Sequence, residues 1–370
     1  MLDIAISELS KIAVFLPSLS EGGVERVMLN LAEGFAHKGI PTDMVLAQAT
    51  GSFLSQASNV RIVDLKSPRL RASLFSLIRY IKAEKPDYLI CSQDHANVIA
   101  LLAKFMSGIN TKVIITLHSY YLSKSMEYYG SLTTRLVCKL SRVLFPKADG
   151  IVAVSEGVAK DYARELSISL ERIKVIYNPV LSNSLFEKAR QKPQDWGEKK
   201  QPVLIAVGRL ALEKDFTTLI KAFQYVNREV PAKLIILGEG EQRSQLQALI
   251  EQLGLAQCVS LIGFQSNPYS YMSNADVFVL SSMWEGLPTV LIEALALGLR
   301  VVTTDCGGAR EIMDKGFAGF IVPVGNELAL SKAIHKALTS PAQHYFPHQL
   351  TIFSAEVAAQ NYLDYCRNLG

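Results

Sequence analysis

Short apolar runs alternate with longer segments whose apolar positions recur every three or four residues, along almost the whole chain. IAVFLP (12–17) reads as a buried strand. A loop, LSEGG (19–23), follows it, and then an amphipathic helix, VERVMLNLAEGFAHKG, with Val24, Val27, Met28 and Leu31 on one stripe. Gly39 suits a left-handed cap at its end. DMVLA (43–47), RIVDL (61–65), YLICS (88–92), KVIITLH (112–118), GIVAVS (150–155) and KVIYNP (174–179) read as further strands, with helices expected at 70–84, 95–107 and 156–167. Residues 181–201, LSNSLFEKARQKPQDWGEKKQ, are polar, charged and weakly periodic, and read as a linker.

A second series opens with PVLIAVG (202–208). It continues through KLIILG (233–238), CVSLIG (258–263), DVFVLSS (276–282), RVVTT (300–304) and GFIVP (319–323), with helices near 214–228, 241–253 and 288–298. Strands separated by helices imply parallel pairing with both sheet faces covered. The pattern predicts an α/β protein of two doubly wound, Rossmann-like domains, 1–180 and 202–353, joined by the linker. A C-terminal helix over 354–370 could cross back to the first domain. Ligands of such sheets bind at the carboxyl ends of strands, so the loops there are the ones to read, and a cleft between the two domains is expected.

Composition fits two cores: 370 residues, 40.7 kDa, 49% hydrophobic, mean hydropathy +0.20. The five cysteines are scattered, with no Cys-x-x-Cys, which argues against a disulfide scaffold or a thiolate zinc site and for a reducing compartment. No transmembrane run and no secretory signal are read, so a cytoplasmic protein is expected, free or attached peripherally to the inner face of the membrane. Charge is uneven: residues 61–147 hold 14 Lys and Arg against 5 acids. The basic segments 66–85 and 124–147 mix cations with Leu, Phe, Ile and Tyr at helical spacing, a composition that can lie on anionic lipid or be an ordinary solvated face.

Five strand-end loops carry candidate chemistry. In SEGGVER (20–26), Gly22 and Gly23 let backbone amides approach a ligand, although Glu21 and Glu25 are odd in a phosphate cradle. His118 ends its strand, with Tyr120 and Tyr121 beyond, and could bond a sugar hydroxyl or a phosphate. In GRLALEKD (208–215), Gly208 permits close approach, and Arg209 and Lys214 offer two cations to a phosphate. In WEGLPTVLIEALALG (284–298), Glu285 stands in the loop and Glu293 inside an apolar helix, where a carboxylate needs a partner; Pro288 is expected in the first helical turn. TTDCGGAREI (303–312) repeats the strand, glycine pair and helix, with Glu311 one turn in. There is no Asp-x-Asp, no phosphate loop, no nucleophile elbow and no trusted metal spacing; GEGEQR (238–243) half-matches a dinucleotide fingerprint.

Together SEGGVER, VAVSEGVAKDY (152–162), VIYNPV (175–180), VGRLALEKDF (207–216), LGEGEQR, LIGF (261–264), EGLPTVLIE and GGAREI resemble the retaining glycosyltransferases of family 4, whose two-domain fold is called GT-B. The resemblance covers nearly the whole chain, departing where the family commonly has Asn-Gly and this chain has Asn178-Pro179. It implies that Arg209 and Lys214 hold the donor diphosphate in place of a metal, Glu293 the ribose and Glu285 the transferred sugar. The amides of Gly286 and Leu287 would face the donor, Gly263 and Phe264 would meet the base, Gly22 and Gly23 would lie near phosphates and acceptor, and His118 near the sugar. It further implies a nucleotide-sugar donor, commonly a UDP-sugar, no metal and no other cofactor. Front-face attack would come from a hydroxyl of a glycan or lipid-diphosphate-linked acceptor, as in bacterial surface polysaccharide synthesis, with no role for nucleic acid. A sugar-nucleotide epimerase on the same fold and a non-catalytic sugar-nucleotide binder remain open at this point.

Overall fold

The structure is a computed structural model describing residues 11–20, 22–120, 132–193, 196, 200–340 and 347–369. Glu21, Tyr121 and residues 124–131 of the second basic segment lie outside the described residues. The chain divides into two units, Met1–Val180 with Ile352–Gly370, and Leu181–Thr351.

Unit 1 holds β1 (Ile12–Leu16), β2 (Thr42–Leu46), β3 (Arg61–Asp64), β4 (Tyr88–Ser92), β5 (Lys112–Leu117), β6 (Gly150–Ala153) and β7 (Ile173–Val175). They pair in parallel in the order β3-β2-β1-β4-β5-β6-β7. The apolar character of the strands follows from this: β1, β2 and β4 are buried at every position, the polar Thr42, Asp43 and Ser92 included. Strand order reverses between β1 and β4, the switch point where a doubly wound sheet opens a crevice. The Gly23–His37 helix buries Val27, Met28, Leu31 and Phe35. It stops where Gly39, at φ 79°, sends its N–H to the Ala36 carbonyl at 2.9 Å.

The C-terminal helix, Ala355–Asn368, belongs to unit 1. Tyr362 meets Phe35 edge-on at 6.2 Å, and Tyr88 donates its hydroxyl to the Cys366 carbonyl at 2.7 Å. Gly34 permits the approach: a Cβ there would lie 2.9 Å from the Ala355 carbonyl oxygen.

Unit 2 holds β8 (Val203–Val207), β9 (Lys233–Leu237), β10 (Val259–Gly263), β11 (Val277–Leu280), β12 (Arg300–Thr304) and β13 (Phe320–Val322). The parallel order is β10-β9-β8-β11-β12-β13, with its switch point between β8 and β11. One core joins Leu204 and Ile236 of the sheet to Phe223 and Ile334 of two covering helices, Phe216–Glu229 and Glu327–Thr339.

Three local expectations are corrected. The strand expected over 174–179 ends at Val175, and beyond it Val180 turns its N–H to Phe353 at 2.9 Å. Pro288 is the N-cap of the Thr289–Ala296 helix, outside the first turn, with extended backbone at ψ 98°. Part of the expected linker is folded: Asn183–Ala189 is a helix tied to unit 2 by Asn267 Nδ2 on the Lys188 carbonyl (3.0 Å) and Ser273 Oγ on that of Ala189 (2.8 Å). Among the described residues, no helix is long and apolar enough to cross a membrane.

Candidate active site

The loop behind β8 is pinned to its neighbours. Gly208 donates its N–H to the Leu237 carbonyl at 3.0 Å, and Leu210 to that of Glu239 at 2.8 Å. Gly238 (φ 141°) and Gly240 make room: a Cβ would lie 1.9 Å from the Gly208 oxygen at the first and 2.4 Å from the Leu210 oxygen at the second. GEGEQR is therefore a packing support for the β8 loop, which accounts for its poor match to a nucleotide fingerprint. Gly238 also donates to the Gly263 carbonyl at 2.9 Å, tying in the end of β10, where Gly263 takes φ 90° and Phe264 is partly exposed.

Arg209 is 65% exposed, and its Nη2 bonds Glu213 Oε1 at 2.6 Å. Burial pushes the Glu213 carboxyl up, but hydrogen bonds from Arg209 and its own backbone outweigh that and hold it below its ordinary value. A 3₁₀ turn, Leu212–Lys214, leads to Asp215, whose carboxylate caps the next helix by accepting from the Thr218 N–H at 3.2 Å. Lys214 comes off that turn with its Nζ 2.5 Å from Glu285 Oε1. Both side chains are largely buried, 18% and 16% exposed, so each charge has exchanged most of its water for the other.

Glu285 is held from several sides. Ser282 Oγ donates to the same Oε1 at 2.8 Å. The Glu285 N–H donates to the Cys306 carbonyl at 3.0 Å, and its own carbonyl accepts from Gly308 at 3.2 Å. Gly307 sits at φ 83°, and a Cβ on Gly308 would lie 2.3 Å from the Gly286 oxygen. The glycine pair of GGAREI thus lets the β12 loop lie against the Glu285 loop. Ser281 Oγ donates to the Lys214 carbonyl at 2.7 Å, and Thr304 Oγ1 to that of Ser282 at 2.5 Å.

Glu293 is 2% exposed on the Thr289–Ala296 helix, and its Oε1 accepts from the Tyr269 hydroxyl at 3.0 Å. The apolar run around Glu293 implied a buried carboxylate with a partner, but Tyr269 itself was not foreseen. Only the Asn267-Pro268 pair, an N-cap followed by proline at the first helical position, signals the short Pro268–Met272 helix that carries it.

In unit 1, Gly22 is the N-cap of the Gly23–His37 helix, and Glu25 folds back over it: a Cβ on Gly22 would lie 1.9 Å from Glu25 Oε2. Gln93, strained at φ 74° behind β4, donates to Glu25 Oε1 at 2.8 Å, which links the ends of β1 and β4 at the switch point. Burial raises the Glu25 carboxyl above its ordinary value. His118 follows β5, its Nε2 3.0 Å from Thr116 Oγ1.

The structure therefore brings Lys214 and Glu285 into direct contact. Gly208, Arg209, Gly286, Leu287 and Glu293 lie in the β8 and β11 loops and the helix behind them, and Gly263 ends β10 with Phe264 next after it, all in unit 2. Gly22, Gly23 and His118 belong to unit 1. Among the described residues, no group of three or more His, Cys, Asp or Glu is placed to hold a metal ion.

Known proteins share this plan. A model described as Glycosyltransferase Family 4 matches residues 21–181, and one described as Glycosyl transferases group 1 matches 188–350. A Campylobacter jejuni N-acetylgalactosamine-N,N'-diacetylbacillosaminyl-diphospho-undecaprenol 4-alpha-N-acetylgalactosaminyltransferase is 31% identical over 341 residues, covering 89% of this chain and 90% of its own. The Erwinia amylovora amylovoran biosynthesis glycosyltransferase AmsD is 26% identical over 96% of this chain and 95% of its own. Among solved structures, Anabaena HepE in complex with UDP-glucose superposes with a TM-score of 0.72 at 21% identity, over 97% of this chain and 96% of that one. The chain belongs to the family 4, group 1 glycosyltransferases and is a glycosyltransferase of the GT-B fold.

Proposed function

We propose that the protein moves a hexose or N-acetylhexosamine, with retained configuration and without a metal, from a UDP-sugar to a hydroxyl of a glycan or lipid-diphosphate-linked acceptor in surface polysaccharide or glycoconjugate synthesis. The observation that carries the reading is the Lys214–Glu285 contact at 2.5 Å, made by residues behind adjacent strands at the unit 2 switch point with Arg209 in the same loop. Breaking a glycosyl–phosphate bond gathers negative charge on the leaving diphosphate and positive charge on the sugar. Lys214 and Arg209 supply cations for the first, and the Glu285 carboxylate faces the second. Glu293 takes the ribose hydroxyls, since a carboxylate accepts several hydrogen bonds. The amides of Gly286 and Leu287 and the N-terminus of the Thr289–Ala296 helix add partial positive charge. Gly208 gives the phosphates close access, and Gly263 and Phe264 border the base. Gly22, Gly23 and His118 serve the phosphates, acceptor and sugar. A phosphate oxygen of the leaving group takes the acceptor proton as the hydroxyl attacks from the same face, so no enzyme nucleophile is needed.

The lipid-linked acceptor and the UDP donor are supported by the names of the Campylobacter relative and the Anabaena complex. Peripheral attachment to anionic lipid is supported by the Leu132–Leu144 helix, where Leu132, Leu136 and Val143 are exposed beside Arg135, Lys139 and Arg142. The test is transfer from a panel of labelled UDP-hexoses and UDP-N-acetylhexosamines to an undecaprenyl-diphosphate oligosaccharide, in chelator, with the product anomer read by NMR. An α-linked product from an α-linked donor is expected. An inverted product, dependence on added metal, or epimerised donor without acceptor would each refute the corresponding part. Vesicles of anionic phospholipid are expected to retain the protein at low salt, and failure to do so removes the membrane part.

A further inference from the structure

Thr116 and His118 stand two positions apart at the end of β5, and the hydrogens between them can be counted. A threonine hydroxyl has one hydrogen. Thr116 Oγ1 lies 2.9 Å from the Cys91 carbonyl oxygen on neighbouring β4. That oxygen has no hydrogen to give, so the contact is a bond only if Thr116 donates. The same Oγ1 lies 3.0 Å from His118 Nε2. With its hydrogen committed, Oγ1 can only accept there, so Nε2 carries the ring hydrogen. A neutral imidazole has a single N–H, which leaves Nδ1 as a bare lone pair. Nδ1 is closed to solvent and has no partner among the described residues. Burial also pushes the ring down to about 4, so it stays neutral near pH 7.

The surroundings ask for a polar guest. Asn97 Nδ2 donates to the Thr116 carbonyl at 3.1 Å, while Asn97 Oδ1 is buried without a partner. Ser92 pairs with Thr116 across the ladder, and its Oγ is also buried without a partner. Native interiors rarely leave such atoms unmet.

We propose that Thr116 is a positioning residue: anchored on the Cys91 carbonyl, it fixes His118 as the Nε2–H tautomer and so presents Nδ1 as an acceptor for a sugar hydroxyl. A neutral acceptor offers nothing to a phosphate or carboxylate oxygen, which decides between the two guests that the sequence allows for His118. The identity of the guest as a sugar rests on the transferase reading; the tautomer and its cause do not.

The test is the nitrogen spectrum of the full chain labelled with ¹⁵N-histidine at neutral pH, with His118→Gln identifying which of the six imidazoles is His118. Nδ1 is expected in the unprotonated range and Nε2 in the protonated range. Thr116→Ser keeps that pattern. Thr116→Val, which has neither lone pair nor hydroxyl hydrogen, loses it and gives averaged shifts. A proton on Nδ1 or a mixed tautomer in the wild type overturns the proposal, as does a folded Thr116→Val protein with an unchanged Nε2–H preference. Should Thr116→Val not fold, the wild-type and Thr116→Ser spectra still decide. A protein with the expected tautomer that transfers no sugar supports the Thr116 assignment and overturns the transferase reading of the site.

Discussion

Glu285 shares one carboxylate oxygen between Lys214 Nζ and Ser282 Oγ, at 2.5 and 2.8 Å. Glu285→Gln keeps the shape and removes the charge, and kcat is expected to fall roughly 10²–10³-fold, as for loss of one preorganised electrostatic contact. Tyr269→Phe removes one hydroxyl from a buried carboxylate. If Glu293 holds the ribose, donor KM should rise about tenfold with kcat nearly unchanged, consistent with a hydrogen bond to a charged group and with uniform binding. An equal fall in kcat would count against that role. Asp94 gives a stability prediction. Burial raises its carboxyl to about 6 despite the Tyr162 hydroxyl it accepts at 2.9 Å. Folded protein therefore holds this proton more tightly than unfolded protein, and stability drains away as pH rises from 3.8 to about 6. Asp94→Asn is expected to gain about 1 kcal/mol above that window, discounted for partial exposure, and nothing below it, measured by urea unfolding at several pH values. Glu285, Glu293 and Lys214 were legible in the sequence because strand-end loops and a charge inside an apolar run are local patterns. Ser282 and Tyr269 were not, since their roles depend on which side chain folds against them; Tyr269 lies 24 positions from its partner.

Among the elements, the strands were the plainest to read, because burial on both faces forces unbroken apolar runs such as IAVFL and VLIAV. The Glu327–Thr339 helix escaped the pattern reading. Its buried stripe, Leu330, Ala333, Ile334 and Ala337, is half alanine, and its start is signalled only by Asn326, whose side chain accepts from the Ala329 N–H at 2.9 Å. The helix at Asn183–Ala189 was hidden by its polarity: among its residues only Leu185 is buried. Glycine substitutions separate two kinds of turn. Gly308→Ala drives a methyl to 2.3 Å from the Gly286 oxygen and must part the β12 loop from the Glu285 loop. Loss of most activity is expected, with little change in the far-UV circular dichroism. Gly39→Ala meets nothing within 4 Å and carries only the cost of a left-handed backbone, about 1 kcal/mol, with activity kept.

At the level of the whole molecule, unit 2 occupies a single continuous stretch, Leu181–Thr351, whereas unit 1 is assembled from both ends of the chain. Truncation after Phe353 removes Tyr362, Leu363 and Cys366 from the unit 1 core. At about 1.5–3 kcal/mol for each large apolar side chain, that loss rivals the margin of an ordinary domain. Unit 1 is expected to expose its amides to hydrogen exchange while unit 2 keeps its protection; equal protection in the truncated and full chains would refute this. The same division shapes synthesis. All of unit 2 is made before the Ala355–Asn368 helix, which unit 1, begun earlier, still lacks at that point. The nascent N-terminal half must therefore keep an unsealed apolar seam beside Phe35 until residues 355–368 have been made, so a chain broken off just before them would be one whose earlier-made half is the one that chaperones and proteases find.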